Sequence, residues 1–163
     1  MTSTTISIRN AKRTDQSQAA EVCFLASQVS GDERYKEIIH LRWSTPYFEE
    51  VSENCFVAYQ PGKADQLIGY IICAPDSEAF EKICYTNWQP LLQQSLEKVW
   101  SQFSFFERIK LKFLYRFPKP NSFKKPKGLY AYYPAHLHIN IHPDFQRLGL
   151  GSKLMDRLIS HLQ

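Results

Sequence analysis

The stretch HINIHPDFQRLGLGSKLM, residues 138–155, decides the fold of this chain. Residues 133–141 alternate apolar and polar side chains, which predicts a strand. Leu137, Ile139 and Ile141 share one face of that strand, and the other face carries His136, His138, Asn140 and His142. Leucines then recur at helical spacing, at Leu150, Leu154, Leu158 and Leu162. The sequence therefore predicts a strand, a glycine-containing loop and an amphipathic helix in succession.

Two glycines separated by one residue, Gly149 and Gly151, stand where this helix begins. Glycine lets the backbone approach a ligand closely, and a helix N-terminus presents free N–H groups and a dipole that favour an anion. The arrangement indicates a phosphate or pyrophosphate ligand. A tight turn with close packing of helix on strand explains the same glycines without any ligand. Neither a dinucleotide-binding fingerprint nor a Walker A lysine is present.

Length and composition fix the class of protein. The chain has 163 residues, which predicts a single domain over 1–163, and its 44% hydrophobic and 22% charged residues exclude disordered and fibrous classes. The longest apolar run, residues 67–74, is far shorter than the roughly 20 residues of a membrane span. The N-terminus lacks the basic and apolar regions of a secretion signal. We expect a cytoplasmic protein without a membrane partner.

The first half of the chain predicts alternating strands and helices. Residues 4–9 are β-branched and alternating, which predicts a strand, and the apolar spacing after Asp15 predicts a helix ending at Gly31. A second helix is predicted over residues 34–42, with Pro46 blocking further helix. Two strands, residues 55–59 and 67–74, then predict an antiparallel hairpin across a Pro-Gly turn.

The second half is helical up to the final unit. Residues 76–100 predict helix divided at Pro90, whereas residues 105–117 fit the period of a helix and that of a strand. Residues 118–127, rich in proline and lysine, predict an exposed loop.

The formal charge of +4 is unevenly distributed. Residues 107–127 hold eight Lys or Arg and one acid. A basic helix face followed by a lysine-rich loop explains this segment, and binding of nucleic acid or an anionic membrane is the alternative. Because no nucleic-acid module accompanies the segment, we expect no nucleic-acid partner. A further hypothesis is that the segment lines an acceptor site that prefers acidic or phosphorylated substrates.

The spacing of the cysteines and histidines predicts neither disulfides nor a metal site. The four cysteines form no CxxC pair and lie among apolar neighbours, which predicts buried free thiols in a reducing compartment. His136 and His138 have a spacing that can ligate zinc, with His142 further along the same strand face. Since no further ligand is evident, we predict no metal site.

The stretch that decides the fold resembles motif A of the GCN5-related N-acetyltransferases (GNAT). Their signature is a strand, a Gln/Arg-x-x-Gly-x-Gly/Ala loop and a helix, represented here by Gln146, Gly149 and Gly151. The resemblance implies that strand backbone groups pair with the pantetheine arm of acetyl-CoA and that loop amides hold its pyrophosphate, with charge added by Arg147 and Lys153. The implied cofactor-binding residues are Ile139, Asn140, Ile141, Gln146, Arg147, Leu148, Gly149, Leu150, Gly151 and Ser152.

Residues 69–92 and 130–143 resemble, within that superfamily, prokaryotic acetyltransferases similar to the C-terminal acetyltransferase-like domain of O-GlcNAcase. The resemblance implies an α/β fold: a mixed, mostly antiparallel four-stranded sheet with helices on both faces. It also implies a helical insert, residues 76–130, between strands 3 and 4, with 107–116 as helix. Because such proteins continue beyond the motif A helix, the chain is expected to lack their C-terminal lobe. The uncovered edge of strand 4 then predicts a homo-oligomer.

The implied activity is direct transfer of an acetyl group from acetyl-CoA to an amine of a small molecule or protein. His138 is the candidate base, and a strand histidine that only forms hydrogen bonds is the alternative. Asn140 stands where the subfamily often has an acid, and an amide cannot take the proton. The alternative function is a catalytically inactive acyl-CoA-binding or protein-interaction module.

Overall fold

The computed structural model describes residues 6–62, 66–119, 126 and 128–163, which form a four-stranded sheet with helices on both faces. The strands are β1 (Ser7–Asn10), β2 (Cys55–Gln60), β3 (Gln66–Ala74) and β4 (His136–Ile141). They lie in the order β1-β2-β3-β4, and each of these three pairings is antiparallel. The predicted fold class is confirmed.

The helices lie between β1 and β2, between β3 and β4, and after β4. They are α1 (Gln16–Leu25), α2 (Lys36–Trp43), α3 (Thr45–Glu50), α4 (Ser77–Ile83), α5 (Gln89–Val99), α6 (Phe105–Leu114), α7 (Leu129–Tyr132) and α8 (Leu150–Leu162). A π-helical segment, Cys84–Trp88, joins α4 to α5. Helices α4 to α7 lie between β3 and β4 in sequence, as the resemblance implied. Within the described ranges, no helix is long and apolar enough to cross a bilayer.

Both faces of the sheet are buried because its central strands are apolar on both sides. On one face, Tyr70 and Ile72 of β3 belong to a core shared with α1, α2 and α3. On the other face, Ile68 and Ile71 pack in a second core with α8. This second core also holds the three buried leucines of α8, Leu150, Leu154 and Leu158. The predicted amphipathic helix therefore packs its apolar side against this face of the sheet, next to the end of β4.

Two predicted boundaries in the first half are wrong. Helix α1 ends at Leu25 rather than at Gly31, and the Ser27 hydroxyl there donates to the Phe24 carbonyl at 2.7 Å. Gly31, at φ 89°, lies in the turn beyond the helix. Pro46 does not block further helix, because it lies in the first turn of α3, where no intrahelical partner for its missing N–H is needed.

The remaining sequence predictions follow the structure closely. The hairpin β2–β3 and the division of the helical region before Pro90 are confirmed. Residues 105–114 of this stretch form helix α6, so the implied helix over 107–116 ends at Leu114, and Ser104 and Glu107 form a capping box at its N-terminus. The predicted first strand begins at Ser7, with its residues 4 and 5 outside the described residues, as are 120–125 and 127 of the predicted loop.

All four cysteines are buried free thiols, as predicted. Burial raises the pKa of the Cys23 thiol to about 11 and that of Cys84 to about 12. At neutral pH both are therefore protonated and behave as small apolar side chains.

Candidate functional site

The loop between β4 and α8 contains two residues in the left-handed region. Arg147 has φ 64° and Gly149, the N-cap of α8, has φ 72°. Left-handed residues in a turn direct neighbouring N–H groups into one concavity, which is a common way for backbone to bind an anion. Because the N-cap is a glycine, no side chain caps the first N–H groups of α8. Within the described residues, the amides of 147–152 have no hydrogen-bond acceptor.

The two glycines of this loop have different roles. A Cβ on Gly149 would meet no atom within 4 Å, so glycine is required there by its positive φ and leaves open space in front of the helix. A Cβ on Gly151 would lie 3.5 Å from Cδ1 of Ile141, an ordinary van der Waals distance, so a methyl group would fit there. The short distance shows that the first turn of α8 lies beside the end of β4.

Gln146 forms hydrogen bonds with its own loop and with the end of β4. Its side-chain Nε2 donates to the Ile141 carbonyl at 3.0 Å, and its backbone N–H donates to the Pro143 carbonyl at 3.3 Å. The prediction that the Gln146 amide holds a pyrophosphate is therefore not supported by this geometry. Gln146 instead fixes the loop onto the last residue of β4, and the free amides begin at Arg147.

Strand β4 is an edge strand in the described sheet, and the pairing register shows which of its backbone groups are free. The His142 N–H donates to the Ile68 carbonyl at 2.8 Å, and hydrogen-bonded pairs alternate along antiparallel strands. The backbone groups of Asn140 consequently face Tyr70 on β3, whereas those of Ile139 and Ile141 face the free edge. The register corrects the implied pairing of Asn140 with pantetheine and adds Leu137 to the free edge.

The side chain of Asn140 is the centre of a polar network on the inner face of β4, the face toward α1 and α2. Its Nδ2 donates to the Tyr70 hydroxyl at 2.8 Å and lies 3.3 Å from Nε2 of His138. On the other side of the ring, Nδ1 of His138 lies 2.9 Å from the Trp43 carbonyl, which can only accept. His138 thus carries its hydrogen on Nδ1 and accepts from Asn140 at Nε2.

Both ring nitrogens of His138 are engaged, which favours the hydrogen-bonded alternative over the predicted base. Burial, with a smaller contribution from the charge of Arg42, lowers the pKa of the His138 imidazole below 6.5, although the bond to the Trp43 carbonyl opposes the shift. A base must accept a proton, and here the accepting lone pair already receives the Asn140 amide. His138 holds α2 against β4.

His136 is held in a similar way at the start of β4. Its Nδ1 is 2.7 Å from the Ser77 hydroxyl and its Nε2 is 2.8 Å from the Tyr47 hydroxyl. The two histidines of the His-x-His pattern therefore bond to separate partners. Among the described residues, no group of three or more His, Cys, Asp or Glu side chains is placed to hold a metal ion.

Among the described residues, Trp43 lines two cavities on the inner face of β4. The Cys23 cavity, about 410 Å³, lies between α1, α2 and β4 and is lined by Cys23, Trp43, His138 and Asn140 among others. The Arg42 cavity, about 420 Å³, lies at the start of β4 and is lined by Arg42, Tyr47, Glu81 and His136 among others. Both volumes suit a small organic ligand.

Stability should depend on pH through His138. Because burial lowers the pKa of His138 and of His40 in the folded chain, the unfolded chain binds more protons below pH 6.5. The free energy of unfolding is therefore expected to fall as the pH drops from 7.5 to 5.5. Urea denaturation should show a smaller fall for His138→Gln than for the wild type. Equal falls in the two proteins would contradict the burial of a neutral His138.

Solved structures resemble this arrangement, although no family model matches the sequence. The crystal structure of SsHAT matches with a TM-score of 0.66 and 21% identity over 97% of this chain and 77% of that chain. An acetyltransferase crystal structure matches with a TM-score of 0.50 and 18% identity over 94% and 72% of the two chains. The chain has the GNAT acetyltransferase fold. At these identities the likeness concerns the GNAT fold and leaves the activity to be argued from the site.

The structure brings together most of the predicted site residues and adds others. Residues 147–152 follow closely on the end of β4, and Gly151 lies beside Ile141. Sequence reasoning missed Arg42 and Trp43, which reach the same strand from α2. No spacing signal could have identified them, because their role depends on how α2 packs on β4.

Proposed function

We propose that this chain is an acetyl-CoA-dependent N-acetyltransferase that transfers an acetyl group directly to an amine. The observation that carries the proposal is the juxtaposition of six free amides, 147–152, with the uncovered edge of β4. An anion-binding helix start beside an unpaired strand edge suits a ligand that is a pyrophosphate at one end and an amide-containing chain at the other.

Each part of acetyl-CoA has a matching group. The pyrophosphate oxygens accept from the amides of 147–152, with the helix dipole and the nearby cations of Arg147 and Lys153 favouring their charge. The amide groups of the pantetheine arm pair with the outward backbone groups of Ile139 and Leu137, as an added strand would. The arm therefore runs back along β4, away from α8, and carries the thioester toward the start of the strand.

The chemical step depends on how the amine and the acetyl group are positioned more than on reactive side chains of the protein. The neutral amine nitrogen attacks the carbonyl carbon of the acetyl group, the new C–N bond forms, and the C–S bond breaks. The nitrogen loses a proton to water, and the CoA thiolate gains one from water, so the two changes balance. An outward N–H of β4, at Leu137 or Ile139, stabilises the oxyanion that develops on the acetyl oxygen.

A second candidate function is a catalytically silent acyl-CoA-binding module. The observation that favours it is the engagement of both His138 nitrogens, because a bound amine then finds no free base at that position. The two candidates share the binding site and differ only in turnover.

Amine-dependent release of free CoA separates the two candidates. We expect that wild-type protein mixed with acetyl-CoA and a panel of primary amines releases thiol in step with an acetylated amine of 42 added mass units per transfer. The released thiol is measured colorimetrically and the product by mass spectrometry. Gly149→Glu serves as the inactive control. Binding of acetyl-CoA without amine-dependent release across the panel would establish the silent module instead.

A further inference from the structure

Arg42 is a charged side chain set among aromatic rings. Its guanidinium carbon lies 4.1 Å from the ring centre of Trp43 and 4.6 Å from that of Phe117. Its Nε is buried and, within the described residues, has no hydrogen-bond partner. Such stacking stabilises a guanidinium over a ring face but does not satisfy its N–H donors.

No carboxylate lies within ion-pair distance of Arg42 in the part of the chain that the structure describes, and the charge of Glu81 only partly offsets the effect of burial. None of the ion pairs between described residues includes Arg42. Residues 116–127, which follow α6 and include Phe117, contain no acid in their sequence. Burial lowers the pKa of the Arg42 guanidinium, although Tyr47, Cys84 and Glu81 oppose the shift. A half-buried cation with an unsatisfied Nε–H favours binding of an anion that arrives from outside the chain.

The cavity in front of Arg42 joins this cation to the start of β4. The lining of the Arg42 cavity includes Arg42, Tyr47 and His136, the first residue of β4. Glu81 lines the same cavity, accepts from the Tyr130 hydroxyl at 2.8 Å, and raises the pKa of Arg42 through its charge. An occupant of about 420 Å³ can therefore contact Arg42 and β4 at once.

We propose that the Arg42 cavity is the acceptor site and that it selects small amines bearing a carboxylate, which the Arg42 guanidinium binds. The proposal rests on the proposed acetyltransferase function. The planar fork of a guanidinium matches a carboxylate with two parallel hydrogen bonds, which a lysine cannot reproduce. With the carboxylate at Arg42, the amine of the occupant points along the inner face of β4, toward the strand end to which the pantetheine arm leads.

The preference for carboxylates is tested by comparing the rates at which matched pairs of amines are acetylated. The panel consists of 4-aminobutyrate and β-alanine, each compared with its carboxamide, and of a phosphate-bearing amine, 2-aminoethyl phosphate. We expect wild type to prefer the carboxylates, and Arg42→Gln to raise their KM about tenfold or more while kcat changes little. Arg42→Lys should have a KM between those of wild type and Arg42→Gln. Arg13→Gln, an exposed arginine paired with Glu49, is the matched control and should leave both constants unchanged.

A binding measurement keeps this test separate from the proposed function. Glutarate, which carries carboxylates and no amine, is expected to raise the melting temperature of wild type and of Arg13→Gln but not of Arg42→Gln, whether or not acetyl transfer occurs. Circular dichroism confirms that each variant is folded. Equal melting shifts in wild type and Arg42→Gln, or an undiminished preference for carboxylates in Arg42→Gln, would overturn the proposal. A preference for the phosphate-bearing amine that depends on Arg42 would replace the carboxylate with a phosphate. If no amine is acetylated but glutarate raises the melting temperature of wild type and not of Arg42→Gln, the transferase proposal is refuted and the anion site is supported.

Discussion

Gly149→Glu is expected to raise the dissociation constant of acetyl-CoA about 100-fold or more, which corresponds to about 2.7 kcal/mol of binding free energy. The glutamate side chain would extend into the open space in front of α8, where a Cβ meets no atom within 4 Å. That space is the one the pyrophosphate takes in our account, so the carboxylate both occupies it and repels the phosphate charge. Isothermal titration calorimetry with acetyl-CoA measures the change directly.

Gly31→Glu is the matched control for this variant. Gly31 also has a positive φ, 89°, and a Cβ there likewise meets no atom within 4 Å. Both substitutions therefore place an L side chain in the left-handed region and are expected to lower the free energy of unfolding by about 1–2 kcal/mol. Only the change at Gly149 should affect acetyl-CoA. An unchanged dissociation constant in folded Gly149→Glu would show that the start of α8 does not hold the pyrophosphate.

Leu154→Ala is expected to lower the free energy of unfolding by about 3 kcal/mol, within the range seen for buried leucines. Leu154 is fully buried in the core between α8 and the sheet, where it packs with Ile68 and Ile71 of β3. Truncation removes apolar contacts and leaves a cavity beneath the helix that carries the free amides. Chemical denaturation monitored by circular dichroism at 222 nm gives the value.

Leu162→Ala provides the control in the same helix and with the same chemical change. Leu162 is 48% exposed, so its truncation should alter the free energy of unfolding by no more than about 0.5 kcal/mol. Similar losses for Leu154→Ala and Leu162→Ala would contradict the packing of α8 described above, because Leu154 is buried inside the helix and Leu162 is half exposed at its end.

The β4–loop–α8 unit was predictable because its signals are local. Alternation sets the strand faces, leucine spacing sets the buried side of α8, and Gly149 marks the helix start, so the sequence indicated this unit correctly. Even the division of β4 side chains agrees, since Ile139 and Ile141 pack with α8 while His138 and Asn140 face α2. The sequence did not predict that the Gln146 side chain donates a hydrogen bond to the Ile141 carbonyl, because this bond depends on how the loop folds back onto β4.

The acceptor side of the site was not predictable from the sequence. Arg42 and Trp43 end a short helix that precedes β4 by more than 90 residues, and their position depends on packing between distant elements. The end of α1 and the role of Pro46 were also missed, because a glycine or a proline fixes a local conformation but not the element to which it belongs. The histidine network was ambiguous in sequence for the same reason, since its partners come from α2 and β3.

The most direct test of the central claim is a titration of the ¹⁵N-labelled chain with acetyl-CoA, followed by amide resonances in NMR spectra. We expect the largest shifts on the amides of residues 147–152 and on those of Leu137 and Ile139, with β1 at the opposite edge of the sheet unaffected. Shifts concentrated elsewhere, or none at saturating acetyl-CoA in a folded chain, would contradict this claim.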